Sequence, residues 1–183
     1  VTATTESLGR LTFVEPSALS SPFFNIFAQI NLFPFDQQTA TEMLRHFAAA
    51  AGAPIPDAAV DFVLELAGPH PFFAQIAAYF VFEQMARGSS DLTPQAQERI
   101  KSDFLAEVEP HWLYLWNEIQ PAQQKQMALA YELSALSPAL LRRLRQLGIV
   151  LETPQGDTLL SPALAAFLAH RPVDGVLRAP PVI

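Results

Sequence analysis

The chain has 183 residues, a formal net charge of −7 and no cysteine. Half of its residues are apolar, which is enough to bury a core, while the acidic balance repels phosphate backbones and anionic lipid surfaces on average. The lack of cysteine excludes disulfides, thiol nucleophiles and cysteine-ligated metals, and it fits a reducing, cytoplasmic location. The longest mainly apolar stretch, Phe72 to Phe82, is too short to cross a bilayer.

The first 35 residues predict the end of another domain and a connector. Val1 to Thr5 is rich in threonine and β-branched residues, which predicts a strand that needs partners from elsewhere. Residues 20–35 are aromatic and bounded by prolines, as in a packed connector. Because the chain opens with Val1 rather than Met, we expect it to be a fragment.

Four helices are predicted over residues 36–118. Asp36 is placed to cap a helix over 37–51, and Asp57 to cap a second helix that ends at Gly68, so the two form a hairpin. The segment from Pro71 to Gly88 is apolar around most of its circumference, with Phe72, Ile76, Tyr79 and Phe80 prominent, and predicts a central, buried helix.

The fourth helix is the longest. Thr93 and Pro94 mark the start of a helix over 94–118 that is expected to bend near Pro110. Its four aromatic residues are typical of core or interface packing, and they are candidates for a seam with the region that follows. They are Phe104, Trp112, Tyr114 and Trp116.

Residues 119–170 predict a winged-helix module. Helices are expected over 121–133 and 138–147, and the turn residues 154–157 separate strands over 149–153 and 158–160. Ser137 and Ser161 each precede a proline at a helix start, where capping explains them. The predicted fold class is therefore mainly α, a helical subdomain followed by a winged helix with one small β-hairpin, and residues 171–183 form a linker or tail.

The segment Ala67-Gly68-Pro69-His70-Pro71-Phe72-Phe73-Ala74-Gln75 resembles the "GG-x-P-hydrophobic-x-x-Q" signature of the lid subdomain in STAND and archaeal-type AAA-lineage P-loop ATPases. Three further features follow the family's order. Residues 1–5 look like the end of its sensor-1 strand, residues 21–25 look like its connector, and the winged helix closes the array. Pro69 departs from the pattern, because a second glycine is usual there, and this places nucleotide contact by the loop in doubt.

The resemblance implies roles for several residues. Gly68, His70 and Pro71 become candidates for the lid that covers a nucleotide base, and Thr4 and Thr5 become candidates for a sensor of the γ-phosphate or its water. The chain has no G-x-x-x-x-G-K-[ST] loop, so ATP or ADP with Mg²⁺ would be held by a missing N-terminal P-loop domain. No catalytic residue is expected here, although the parent protein is a candidate ATPase.

The implied function is regulatory. The chain would close over the nucleotide and transmit its state to an effector domain, in a protein that is a candidate homo-oligomer with no membrane association. The alternative is a winged-helix transcription regulator with a helical sensing or dimerisation domain, which only Arg142, Arg143 and Arg145 on helix 138–147 favour. A helical interaction scaffold without a ligand is the third possibility.

A metal site is not expected. The four histidines, His46, His70, His111 and His170, lie far apart in the sequence and lack the spacing of metal ligands on one helix.

Overall fold

A computed structural model describes residues 33–87, 92–129 and 133–173. Within these residues the protein is mainly helical, with one small antiparallel hairpin near the C-terminal end, and the predicted fold class is confirmed. The helices are α1 (Gln37–Ala50), α2 (Asp57–Ala67), α3 (Pro71–Ala86), α4 (Pro94–Asn117), α5 (Pro121–Leu129), α6 (Pro138–Gln146) and α7 (Pro162–Ala169), with a 3-10 turn at Leu133–Ala135. Thr4 and Thr5, and the strand predicted around them, lie outside the described residues.

Most helices begin where a capping side chain predicts. The Asp36 carboxylate accepts a hydrogen bond from the Thr39 N–H at 2.6 Å, and Thr93 accepts one from the Ala96 N–H at 3.3 Å. Ser137 and Ser161 accept in the same way from the third residue of α6 and of α7. Each bond satisfies a backbone donor that the first turn of a helix leaves without a partner. Capping therefore explains the sites where α1, α4, α6 and α7 begin.

Two local predictions are wrong. Asp57 does not cap α2, because the helix begins at Asp57 itself after Pro56, and its carboxylate instead pairs with the Arg45 guanidinium at 2.7 Å. The helix predicted over 121–133 is described over Pro121–Leu129, and Leu133, its predicted last residue, lies in a 3-10 turn instead.

Helix α3 is buried on one side only, so the prediction of a helix surrounded by protein is also wrong. Its buried face consists mainly of small residues, Phe73, Ala74, Ala77, Ala78 and Val81. Phe72 and Tyr79 lie on the outer side and are 45% and 59% exposed. Small side chains let α2 and α4 approach the α3 backbone closely, which explains why the alanine face is the inner one.

The hairpin consists of β1 (Val150–Thr153) and β2 (Gly156–Leu159), which pair from Val150–Leu159 to Thr153–Gly156. Pro154 and Gln155 form the two-residue turn, and the Thr153 hydroxyl donates to the Gly156 carbonyl at 2.8 Å. The predicted order of helix, helix and hairpin over 121–168 is thus present. The hairpin packs against α6 and α7.

The hydrophobic core is continuous from α1 to α7. Helices α1 to α4 pack on one another in sequence, α1 also contacts α3, and α7 packs against α2. One cluster of buried side chains extends from Ala40 to Leu168. The division into subdomains near residue 118 remains a prediction, and the core crosses that position without interruption. Among the described residues, no helix is long and apolar enough to span a membrane.

Candidate functional site: the turn at residues 68–71

The predicted nucleotide-contact residues form the short turn between α2 and α3. Gly68 ends α2 with φ +69° and ψ −178°, a backbone conformation that favours glycine. Pro71 is the first residue of α3, where its fixed φ suits a helix start and its missing N–H leaves no bond unmade. The Pro69 carbonyl accepts a hydrogen bond from the Phe35 N–H at 3.1 Å. The turn is therefore held by both helices and by the residues that precede α1.

Gly68 lies directly against the C-terminal part of the chain. A Cβ atom added at Gly68 would overlap the Leu160 carbonyl oxygen and would lie 2.8 Å from the Leu160 side chain. Leu160 follows β2 and is itself buried, and its N–H donates to the Ile149 carbonyl at 2.9 Å. Glycine is required here twice, for its positive φ and for the close approach of Leu160.

His70 packs against a second glycine. A Cβ atom added at Gly148 would lie 3.2 Å from His70 Cδ2 and 3.4 Å from Pro34 Cγ. The His70 ring also contacts the Phe73 ring, with 4.7 Å between centroids. Burial lowers the pKa of His70 below its ordinary value of 6.5, because the protonated ring loses solvation in these apolar surroundings. Its Nδ1 atom is buried and has no hydrogen-bond partner within the part of the chain that the structure describes.

A series of ring contacts continues from His70 into the core. Phe73 contacts Trp112 of α4, and Trp112 contacts Phe167 of α7, with centroids 5.9 and 5.4 Å apart. The Arg171 guanidinium lies over the Phe167 ring at 4.2 Å. Of the four aromatic residues predicted as candidates for a seam, Trp112 contacts the C-terminal region, whereas Tyr114 is 50% exposed. We call the set His70, Phe73, Trp112, Gly148, Leu160 and Phe167, together with Gly68, the apolar seam.

The turn has an inner and an outer side. Gly68 and Pro69 are buried in the apolar seam, whereas His70 and Pro71 keep part of their surface exposed. Of the three lid candidates, only His70 and Pro71 can therefore meet a ligand in this conformation. Contact of any of them with a nucleotide remains a prediction.

The three arginines of α6 do not share one environment. The Arg145 guanidinium donates to both carboxylate oxygens of Asp157, at 3.0 and 2.9 Å, and lies 3.3 Å from Glu152. Arg143 pairs with Glu118 at 3.2 Å. Arg142 is exposed, with no ion pair among the described residues. We call the pairs of Arg143 and Arg145 the charged ties, because they bind α6 to the end of α4 and to the hairpin.

Sequence reasoning did not identify a shallow groove of about 110 Å³ between α3 and α4. Its lining combines aromatic and charged side chains from both helices, among them Tyr79, Arg87, Arg99 and Asp103. These residues are separated by buried ones along each helix, and they come from two different helices. Only the packing of α3 on α4 therefore reveals that they are neighbours.

Within the described residues, no group of three or more His, Asp or Glu is arranged to hold a metal ion.

Comparison with models of known protein families gives a match over more than half of the chain. The model of the family "Novel STAND NTPase 2", nSTAND2, matches residues 1–130. The chain belongs to the nSTAND2 family. No curated protein and no solved structure matches it.

The nSTAND2 match includes the turn at residues 68–71 and helices α1 to α5, and it ends before α6 and the hairpin. The resemblance to STAND ATPases is thereby confirmed at the level of the family. The more detailed assignments, a lid and a winged helix, lie beyond what the match establishes.

Proposed function

We propose that this chain is a regulatory part of a STAND NTPase. The helices α1 to α4 act as a lid that closes over ATP or ADP held by a P-loop domain elsewhere in the protein. Membership in the nSTAND2 family is the observation that carries this proposal. In this proposal the P-loop domain binds the phosphates and Mg²⁺, and the lid makes contacts with the nucleotide that differ between its ATP and ADP states.

The geometry of the turn fits contact with a base. Pro71 begins α3 with part of its ring exposed, and a rigid helix start presents a flat apolar surface that does not reorganise on binding. His70 lies beside it and is half-buried. A ligand shifts an equilibrium only by its unequal affinity for the two states, and contact with Pro71 in the closed state alone would supply that inequality.

Residues 119–170 act in this proposal as a winged helix that passes the nucleotide state to an effector domain. The order α5, α6, hairpin and α7 supports the assignment. Arg143 and Arg145 are engaged in the charged ties, which leaves Arg142 as the exposed arginine of α6 and gives the DNA-binding alternative no support. A cytoplasmic location and a role for Thr4 and Thr5 as sensor belong to the same proposal.

The test is replacement of Pro71 by alanine in the protein that contains the P-loop domain. We expect retention of labelled ADP to fall about tenfold, equivalent to about 1.4 kcal/mol of lost binding free energy. The measurement is the dissociation rate of ADP from the purified protein.

Pro94→Ala is the matched control. Pro94 is also the first residue of a helix, α4, but it is exposed and lies far along the chain from the turn, so its replacement should leave ADP retention unchanged. Unchanged retention in Pro71→Ala, or an equal loss in Pro94→Ala, would show that the base does not rest on Pro71.

A further inference from the structure

The C-terminal part of the chain meets the turn at two glycines that both have a positive φ. Gly68 has φ +69° and lies against Leu160, and Gly148 has φ +70° and lies against His70. The contacts are reciprocal, because each side of the seam contributes one glycine and one bulky side chain. Gly148 also touches Pro34, so the residues before α1 meet at the same point.

We propose that the turn at residues 68–71 is a latch, in which the fit of Leu160 onto Gly68 and of His70 onto Gly148 holds the hairpin region against the helices α1 to α4. Opening the latch would separate residues 148–160 from the turn while each part keeps its own backbone hydrogen bonds. The latch is a property of this chain and stands whether or not a nucleotide contacts Pro71.

Two other glycines show that the fit is specific to these positions. Gly52 and Gly156 also have positive φ, +69° and +118°, yet an added Cβ would meet nothing within 4 Å at either. Their conformation alone explains glycine at those turns. Among the described glycines, only Gly68 and Gly148 have close neighbours at the position of an added Cβ atom. At Gly68 the atom would overlap the Leu160 backbone, and at Gly148 the His70 ring would have to shift by a few tenths of an ångström.

Such a contact has the character of a two-state element. A protein interior is packed too densely to accommodate an added methyl group gradually, so the seam either closes or repacks in another arrangement. The His70 ring is the part best placed to shift, because it is half-buried and its Nδ1 has no hydrogen-bond partner among the described residues. A local change at His70 therefore reaches Gly148 directly and the hairpin through β1.

The latch can be tested by measuring the distance between the hairpin and α2 in the full chain. The chain has no cysteine, so Glu65→Cys on α2 and Gln155→Cys at the hairpin turn, both exposed positions, provide a unique pair of spin-label sites. In this background we expect Gly148→Ala to add a longer component to the distance distribution, because the new methyl group displaces the His70 ring. Gly52→Ala imposes the same strain at φ +69° in open space and should leave the distribution unchanged.

A double variant distinguishes the contact from general loss of stability. His70→Ala removes the ring that the Gly148→Ala methyl group would meet, so combining the two should restore much of the short-distance component. This would appear as coupling in a double-mutant cycle. Equal effects of Gly148→Ala and Gly52→Ala, or strict additivity with His70→Ala, would overturn the latch. Neither result depends on ADP retention, so the nucleotide proposal and the latch can fail separately.

Discussion

The apolar seam and the charged ties both hold the hairpin region in place, but they do so by different physics. The seam joins aromatic rings and two glycines at contacts with little room for added atoms. The ties join Arg143 and Arg145 to carboxylates at distances of 2.8–3.3 Å, in surroundings that solvent still reaches. The seam is therefore sensitive to volume, and the ties are sensitive to salt.

This difference indicates which contacts stabilise the fold and which ones fix the orientation of α6 and the hairpin. Burial of Trp112, which is 1% exposed, removes a large apolar surface from water and contributes several kcal/mol. Partly exposed ion pairs contribute little in general, because water screens the attraction and two long side chains lose conformational freedom when they pair. The seam should therefore supply most of the free energy that joins the two parts, while the ties select the orientation of α6 and the hairpin.

The largest expected effect comes from Trp112, which lies between Phe73, Phe104 and Phe167. Trp112→Ala should lower the free energy of unfolding by about 3–5 kcal/mol, because a large cavity replaces three ring contacts. Denaturant unfolding monitored by circular dichroism measures the change. Trp112→Phe should cost less, because it keeps an aromatic ring at this position and removes the indole N–H, which is buried and has no partner among the described residues.

Leu113→Ala is the neighbouring control. Leu113 follows Trp112 in α4 but is 40% exposed, so its truncation should change the free energy of unfolding by about 0.5 kcal/mol or less. A comparable loss in both alanine variants would mean that α4 stability, rather than the seam, determines the result.

Most helix starts were predictable because their signals are local. Asp36, Thr93, Ser137 and Ser161 each lie three residues before the N–H that they cap, so a short stretch of sequence contains the whole interaction. Asp57 resembles the same signal, but the prediction failed because α2 begins one residue earlier than expected, with Pro56 at the N-cap position. The Asp57 carboxylate instead pairs with Arg45, twelve residues away in the chain.

The inner face of α3 and the partners of Gly68 and Gly148 were not predictable from local patterns. Helix α3 is apolar around most of its circumference, and two aromatic residues, Phe72 and Tyr79, lie on its exposed side. Its periodicity therefore indicates only weakly which side α2 and α4 will cover. Leu160 and Gly68 are far apart in the sequence, and their contact follows from the packing of α7 on α2. The turn itself was identified correctly, while its burial by the C-terminal part was visible only in three dimensions.

A smaller, pH-dependent effect should come from His70 within the seam. Burial lowers the pKa of His70 in the folded protein, whereas in the unfolded chain the ring takes up a proton near pH 6.5. The contribution of neutral, buried His70 to the free energy of unfolding is therefore complete above pH 6.5. It decreases as the pH falls toward the lowered pKa of the folded state, because the unfolded state then binds more protons. Unfolding free energies measured between about pH 8 and pH 5.5 should show this decrease, and His70→Phe should reduce it.

The surroundings of His70 support this assignment. Its recorded contacts, Phe73, Gly148 and Pro34, carry no charge. The charged or titratable groups closest in sequence to those contacts have other neighbours among the described residues, since Asp36 caps α1 and Arg145 pairs with Asp157. On α4, His111 faces the Phe72 ring instead. An identical pH dependence in wild type and His70→Phe would assign the titration to another group.

The smallest effect should come from the charged ties. Arg145→Gln removes the two bonds to Asp157 and the pair with Glu152, and it should cost about 1 kcal/mol, the upper end for pairs that solvent partly screens. The loss should shrink in about 1 M salt, where the screening length falls to about 3 Å. Arg142→Gln, on the same helix but exposed and without an ion pair among the described residues, should change nothing measurable. If Arg145→Gln cost as much as Trp112→Ala, or if its cost were unaffected by salt, the hairpin would depend on charge rather than on the fit of the apolar seam.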